Sequence, residues 1–290
     1  MMKAPVSVLV PVKNEENEIA DCLRSVSWAD EVVVIDSSSS DRTQELAEAE
    51  GASVIQFHFR PGGPKKKNWA LENVDLRNDW VLILDADERI TEELAAEIQE
   101  TLRSPGPNAG FFVNRQFFFM DRWIKHAGYY PSWNLRLFKR TLGRYERVEL
   151  PDTQSGDNEV HEHVLLNGPA GNLNAPMRHF AYRSVEKFVA KHNRYSNWES
   201  QTGHHATQSI SGDTAIQREL NRRRSLKRLG RLLPCPHWAR FFYHYVLRRG
   251  FLDGLPGYIL CHLISEYEFL IWAKRMECNS QFSPTARQSG

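Results

Sequence analysis

The sequence predicts an α/β protein: a mostly parallel sheet flanked by helices, followed by a helical C-terminal appendage. Two observations carry this. Four short aliphatic runs, each followed by helical apolar spacing, alternate through the first hundred residues. Past Ser184 the strand signals stop, and only polar, basic and aromatic helix patterns remain. At 290 residues the chain can bury a full core. Its net charge of +1 argues against a nucleic-acid binder driven by bulk electrostatics. The average hides an acid-rich first fifty residues and a strongly basic 218–250.

Val6 to Val12 reads as the first strand, leading through Lys13-Asn14-Glu15-Glu16 into a helix with Ile19, Leu23 and Val26 on its apolar face. Glu31 to Ile35 is the second strand and ends in Asp36. Asp41 caps the next helix, which carries Leu46 and Ala49, and Gly51 stops it. Ser53 to Phe57 is a third strand. The basic loop Arg60 to Asn68 leads into a helix with Trp69, Leu71 and Val74. Trp80 to Leu84 is the fourth strand, buried on both faces. A helix over Glu92 to Leu102 and the linker Ser104 to Pro107 close this half. Gly110–Met120, Leu135–Lys139 and Val160–Leu166 then read as strands of a mixed or antiparallel extension. Helices follow over Val185–Gln201, a basic amphipathic Thr214–Leu233 and an aromatic-rich Phe241–Met276. Residues from Asn279 have the composition of a disordered tail. The expected division is a catalytic domain over 1–184 (halves 1–103 and 108–184), a helical region over 185–278 and a tail over 279–290.

The fourth strand ends in Asp85-Ala86-Asp87-Glu88, three carboxylates in four residues. Open α/β sheets place ligands at the carboxyl ends of their strands. On an extended backbone Asp85 and Asp87 share one side and repel unless a cation lies between, which suits Mg²⁺ or Mn²⁺ carrying phosphate oxygens. The competing reading is a cap for the helix beginning near Thr91. Cys22, Cys235, Cys261 and Cys278 lack CxxC spacing and read as buried or idle thiols of a reducing compartment. No signal peptide is evident and no stretch is long and apolar enough to span a bilayer, so a cytoplasmic protein is expected.

The segments PVKNEE, VVVIDSSSSDRT, KKNWAL and WVLILDADE resemble, in order, the signatures of family 2 glycosyltransferases with the GT-A fold. GYYPSWNLRLFKR, EVHEHVLLNG, RHFAYRS and GFLDGLPGY are similar to the bacterial subgroup containing lipopolysaccharide core β-glucosyltransferases. The resemblance implies an inverting, metal-assisted transferase that moves a sugar, a UDP-hexose being the expected donor, to a glycolipid or saccharide acceptor. It places Pro11, Asn14 and Glu15 at the base pocket and Asp36 on the base or ribose, since a carboxylate accepts two hydrogen bonds from such donors. Lys67 and Asn68 lie near the nucleotide, while Lys65 and Lys66 stay solvated, as do Glu16 and Glu18. Asp87 ligates a divalent metal, Mg²⁺ or Mn²⁺, and Asp85 contacts the ribose or reaches the metal through water. Arg136 offers a phosphate or sugar contact, with a structural salt bridge equally compatible. Glu162 stands where the family presents its acceptor-side acid, with Asp157, Glu159, His161 and His163 as other candidates for the base. His179 resembles a histidine offered to metal or diphosphate, or else is structural. The rivals are a sugar nucleotidyltransferase, which needs a Gly-rich basic loop where PVKNEE stands, and a non-catalytic carbohydrate-binding protein.

Arg222, Arg223, Arg224, Lys227, Arg228 and Arg231, interleaved with leucines and followed by Trp238, Phe241, Phe242, Tyr243 and Tyr245, predict attachment to an anionic membrane surface. That implies a peripheral protein on the inner face of a bacterial cytoplasmic membrane. Packing on the catalytic domain or in a homo-oligomer is the competing use of these helices. Glu266 and Glu268 argue against spanning.

Overall fold

The computed structural model describes residues 3–60, 63–146, 163–201 and 236–278. The expected basic helix over 214–233, the tail from Asn279, and Asp157, Glu159, His161 and Glu162 lie outside the described residues.

The first half alternates β1 (Ala4–Val12), α1 (Ile19–Arg24), β2 (Ala29–Asp36), α2 (Thr43–Ala49), β3 (Ser53–Gln56), α3 (Lys66–Asn73) and β4 (Trp80–Ile83). β1 lies between β2 and β4 and runs parallel to both, with Val8 opposite Val32 and Leu82. Strand alternation divides its side chains between two cores. Val6, Val8 and Val10 pack with Val34, Leu82, Ile19 and Leu23 on one face. Leu9 packs with Val33, Val81, Ile83 and Phe138 on the other. Fully burying a side chain such as Leu82 contributes roughly 1.5–3 kcal/mol. The aliphatic runs are therefore strands because both of their faces are covered.

β5 (Glu88–Arg89) and α4 (Glu92–Arg103) follow. Thr91 caps α4, its side chain accepting from the Leu94 N–H at 3.2 Å. Next come β6 (Gly110–Phe119), β7 (Arg122–Trp123), β8 (Trp133–Lys139), β9 (Gly143–Tyr145), β10 (Val164–Leu166), β11 (Ala170–Asn172) and β12 (Met177–Tyr182). The sheet order β3-β2-β1-β4-β8-β6 places antiparallel β8 between β4 and β6, so the mixed extension joins the parallel sheet directly.

The chain divides into two compact units, Met1–Gln116 with Pro131–His179, and Phe117–Tyr130 with Phe180–Gly290. The division thus falls at His179 rather than at 184, and 117–130 groups with the helical region instead of the acceptor half. Hydrophobic burial explains this: Phe117, Phe119, Ile124 and Ala127 share a core with Phe188, Leu260, Cys261 and Ile264. The second unit contains α5 (Val185–Gln201), α6 (Pro236–Phe242), a π-helical turn (Tyr243–Leu247), a 3₁₀ turn (Gly250–Asp253) and α7 (Gly254–Cys278). The continuous helix expected from Phe241 is broken at Arg248–Arg249, where Arg249 takes a left-handed φ of +56°, and the 3₁₀ turn then starts at Gly250. A Cβ there would meet Cys261 Sγ and the His244 carbonyl at 2.8 Å, so only glycine permits the close approach. Among the described residues, no helix is long and apolar enough to cross a membrane. Cys22 and Cys261 are buried free thiols and Cys278 is exposed.

His244 makes the second unit acid-sensitive. Its Nδ1 lies 2.6 Å from the Ala127 carbonyl, and its buried Nε2 has no hydrogen-bond partner among the described residues. Burial, reinforced by the positive charge of Arg240, pushes its pKa down to about 4. The unfolded ring titrates near 6.5, so between these values the unfolded state holds more protons. The stability is present above pH about 6.5 and is lost as pH falls through about 4, by roughly 3 kcal/mol at most. Urea titrations from pH 7 to 4.5 are expected to show this loss, and His244→Gln should flatten it. Parallel curves for the two proteins would assign the acid sensitivity to other groups.

Candidate active site

The chain leaves β4 with the Leu84 N–H donating to the Leu9 carbonyl at 3.0 Å, then turns. The Glu88 N–H donates to the Asp85 carbonyl at 2.9 Å, closing a turn over Asp85–Glu88. Asp85 and Asp87 therefore do not share one side of an extended strand, which corrects the sequence expectation. The turn sends them to different partners. Neither acid is the cap of α4, since Thr91 holds that position.

Asp85 is held between two cations. Its Oδ1 lies 3.0 Å from Lys67 Nζ and its Oδ2 lies 2.6 Å from Arg136 Nη2. Burial raises the Asp85 pKa, but the charges of Arg136 and Lys67 outweigh it and hold the carboxyl well below the usual range. Arg136 Nη2 also lies 2.6 Å from Oε1 of Glu88, whose side chain is fully buried. Arg115 Nη1 approaches that same oxygen at 3.4 Å. The other Glu88 oxygen accepts the Asp85 N–H at 3.0 Å and so braces the turn. Of the two expected roles for Arg136, this geometry displays the salt bridge.

Asp87 takes the other direction. Glu88 is paired with His179 across β5 and β12, which brings His179 Nε2 to 3.5 Å from Asp87 Oδ1. Both side chains keep some exposure, 21% and 15%. Among the described residues no group of three or more His, Cys, Asp or Glu is assembled for a metal. The pair still fits a divalent ion of the kind that takes one or two protein ligands and completes its shell with phosphate oxygens and water. Asp85, already bound by two cations, is left as an outer neighbour.

The loops after β1 and β2 are stitched together. Asn14, with φ +56°, adopts the left-handed conformation that asparagine tolerates better than most residues. Its N–H donates to Ser39 Oγ and its Oδ1 accepts from the Ser40 N–H, both at 2.8 Å. The Glu15 N–H donates to Thr43 Oγ1 at 2.7 Å. Asp36 is almost wholly buried and accepts from the Ser39 N–H and from Gln56 Nε2 at 3.0 Å. It therefore shapes this loop from within. Pro11 lies opposite Ile35, one residue before the ends of β1 and β2.

The basic segment behaves differently from a solvated charge run. α3 begins at Lys66, and Lys66, Lys67 and Asn68 are all buried. Lys66 Nζ donates to the Val12 carbonyl at 2.8 Å, tying α3 to the end of β1. Asn68 spans Tyr145, donating to its carbonyl at 2.9 Å and accepting its N–H at 2.8 Å. Glu18, expected on a solvated helix face, is buried 2.8 Å from Arg89 Nη2. Pro11, Asn14, Glu15, Asp36, Lys67, Asn68, Asp85, Asp87, Arg136 and His179 thus all belong to the first unit. Sequence reasoning missed Glu88, Arg115 and Lys66. Glu88 had a signal, being the third acid of a run that ends a buried strand; Lys66 and Arg115 had none.

A parallel sheet whose strands β1, β2 and β4 deliver Asn14, Asp36 and the Asp85–Glu88 turn describes an α/β enzyme of group-transfer type. The profile described as glycosyl transferase family 2 matches residues 7–157, and the chain belongs to that family. It is thus a family 2 glycosyltransferase, and the nucleotidyltransferase and non-catalytic alternatives fall away. An uncharacterized glycosyltransferase of Rickettsia bellii is 27% identical over 99% of this chain and 91% of its own length. The lipopolysaccharide core biosynthesis glycosyltransferase LpsC of Rhizobium meliloti is 28% identical over 67% of this chain and 70% of its own. Among solved structures, glucosyl-3-phosphoglycerate synthase from Mycobacterium tuberculosis is 26% identical, covering 40% of this chain and 44% of that one, with a TM-score of 0.31.

Proposed function

We propose that this enzyme transfers a hexose, with inversion, from a uridine diphosphate sugar to a saccharide acceptor on a glycolipid of the lipopolysaccharide-core type. The observation that carries this reading is the divergence of the Asp85–Glu88 turn, with Asp85 locked by two cations and Asp87 directed to His179. The name of the Rhizobium relative supports the acceptor class. In the reaction the acceptor oxygen attacks the anomeric carbon, the bond to the diphosphate breaks, and the nucleoside diphosphate leaves with the electron pair. Asp87 and His179 would hold Mg²⁺ or Mn²⁺, which supplies positive charge to the departing diphosphate. Lys67 and Arg136 keep Asp85 ionised beside them. The stitched loops around Asn14 and Asp36 form the wall for the base and ribose, and Lys66 and Asn68 fix α3 behind it. Glu162 takes the proton of the acceptor hydroxyl. The acceptor's lipid sets the place of work at the cytoplasmic face of a bacterial inner membrane.

Hydrolysis of a panel of nucleotide sugars with and without Mn²⁺ tests the donor assignment. Metal-independent turnover, or preference for a guanosine or cytidine donor, overturns it. Glu162→Gln is expected to keep donor affinity and to lower turnover by roughly 10²–10⁴, the usual worth of a positioned base. A nearly normal rate passes that role to Asp157 or Glu159.

A further inference from the structure

The second unit carries an apolar corner that its own core leaves uncovered. The turn between α6 and α7 presents Leu247, Phe251, Leu252 and Leu255 at 66%, 47%, 52% and 68% exposure. Four large apolar side chains exposed within nine residues form a patch rather than scattered surface hydrophobics. The corner is a built feature. Gly257 would bring a Cβ to 2.4 Å from the Gly250 carbonyl, so the 3₁₀ turn and the start of α7 are packed backbone to backbone. Phe251 and Tyr258 also contact Tyr245, with ring centroids 6.2 Å and 5.6 Å away. On the adjoining α6, Trp238 and Phe242 stand one turn apart on the same side and are 61% and 59% exposed.

The segment that forms the corner is basic. Residues 236–262 contain Arg240, Arg248 and Arg249 and a single acid, Asp253. That acid is turned inward, 4% exposed, where it accepts the Lys125 and His126 N–H groups at 3.1 and 2.9 Å. Arg122, on β7, reaches within 3.8 Å of where a Gly254 Cβ would lie. Exposed leucines and phenylalanine beside Arg248 and Arg249 in the same segment match a surface that is apolar below and anionic at its rim. A second copy of the chain fits worse, because a twofold contact centred on this turn would oppose arginines to arginines without an exposed acid in the segment.

We infer that the corner formed by Leu247, Phe251, Leu252 and Leu255, with Arg248 and Arg249 beside it, inserts into the headgroup region of an anionic lipid bilayer. This deepens the glycolipid-acceptor reading by naming the surface that holds the enzyme at its substrate, and it does not depend on the basic segment 214–233. The test uses the full chain with vesicles of phosphatidylcholine alone or with a third of phosphatidylglycerol. The intact protein sediments with the anionic vesicles and weakly with the neutral ones. Leu247→Ser/Leu252→Ser/Leu255→Ser abolishes sedimentation while thermal midpoint and donor hydrolysis stay unchanged. Arg248→Gln/Arg249→Gln weakens binding to anionic vesicles about five-fold per arginine, and added salt removes the difference. Three results overturn the inference. Undiminished vesicle binding by the serine variant places attachment elsewhere. A lower thermal midpoint in that variant means the chain covers its own corner. A dimer in light scattering that the serine variant dissolves assigns the corner to self-association. Donor hydrolysis on the same samples reports separately on the transferase reading.

Discussion

Asp87→Ala is expected to abolish sugar transfer and metal-dependent donor binding while leaving the fold intact. Asp87 sits in a turn, keeps a fifth of its side chain exposed, and meets His179 at 3.5 Å. The adjacent Asp85 does not substitute for it, because both of its oxygens are engaged by Lys67 and Arg136. Loss of a group that stabilises developing charge typically costs about 10²–10³ in turnover, and loss of a metal ligand adds the weakened binding of the ion. Calorimetry with donor and Mn²⁺, alongside a melting curve, measures both parts. Unchanged metal-dependent binding would remove Asp87 as a ligand. A large fall in melting temperature would make it structural.

The largest stability effect is expected at Arg136. Its guanidinium lies 2.6 Å from both Asp85 and Glu88, and Glu88 has no exposure to water. Burial disfavours the charged Arg136, yet the two carboxylates hold its pKa well above the ordinary value. Arg136→Met leaves the buried Glu88 with Arg115, at 3.4 Å, as its cationic neighbour among the described residues. Removing one partner of a buried pair typically costs about 3–5 kcal/mol. Glu88→Gln keeps the shape and loses one charge-assisted hydrogen bond, about 1.5–3 kcal/mol. The double variant should cost less than the sum, since the two residues share one interaction. Denaturant unfolding of the three proteins provides the cycle. Strict additivity would mean that the contact carries no coupling energy.

The strands and helices of the first hundred residues were legible because each is specified locally. Val6–Val12, Glu31–Ile35 and Trp80–Leu84 are aliphatic runs of strand length, and Thr91 before the apolar spacing of Glu92–Leu102 is a cap signal. The acids that end β4 were legible for the same reason, at the kind of strand end where open α/β sheets bind ligands. The partners of those acids were not. Lys65, Lys66 and Lys67 form one uniform charge run, yet the start of α3 turns Lys66 onto the Val12 carbonyl and Lys67 onto Asp85. Glu88 looked like the third member of an acidic cluster and became the buried brace of Arg136. The segment 117–130 read as part of the sheet extension, and the core it shares with Phe188 and Leu260 moved it to the helical unit.

The sequence by itself therefore determined the α/β class, the family and the acidic end of the fourth strand. Only the tertiary structure decided which charges face one another and which acid is held between two cations. Periodicity and capping act over a few residues and leave a local record in the chain. Ionic partners such as Asp85 and Arg136, 51 residues apart, meet only when β8 adds beside β4, and no local pattern encodes that register.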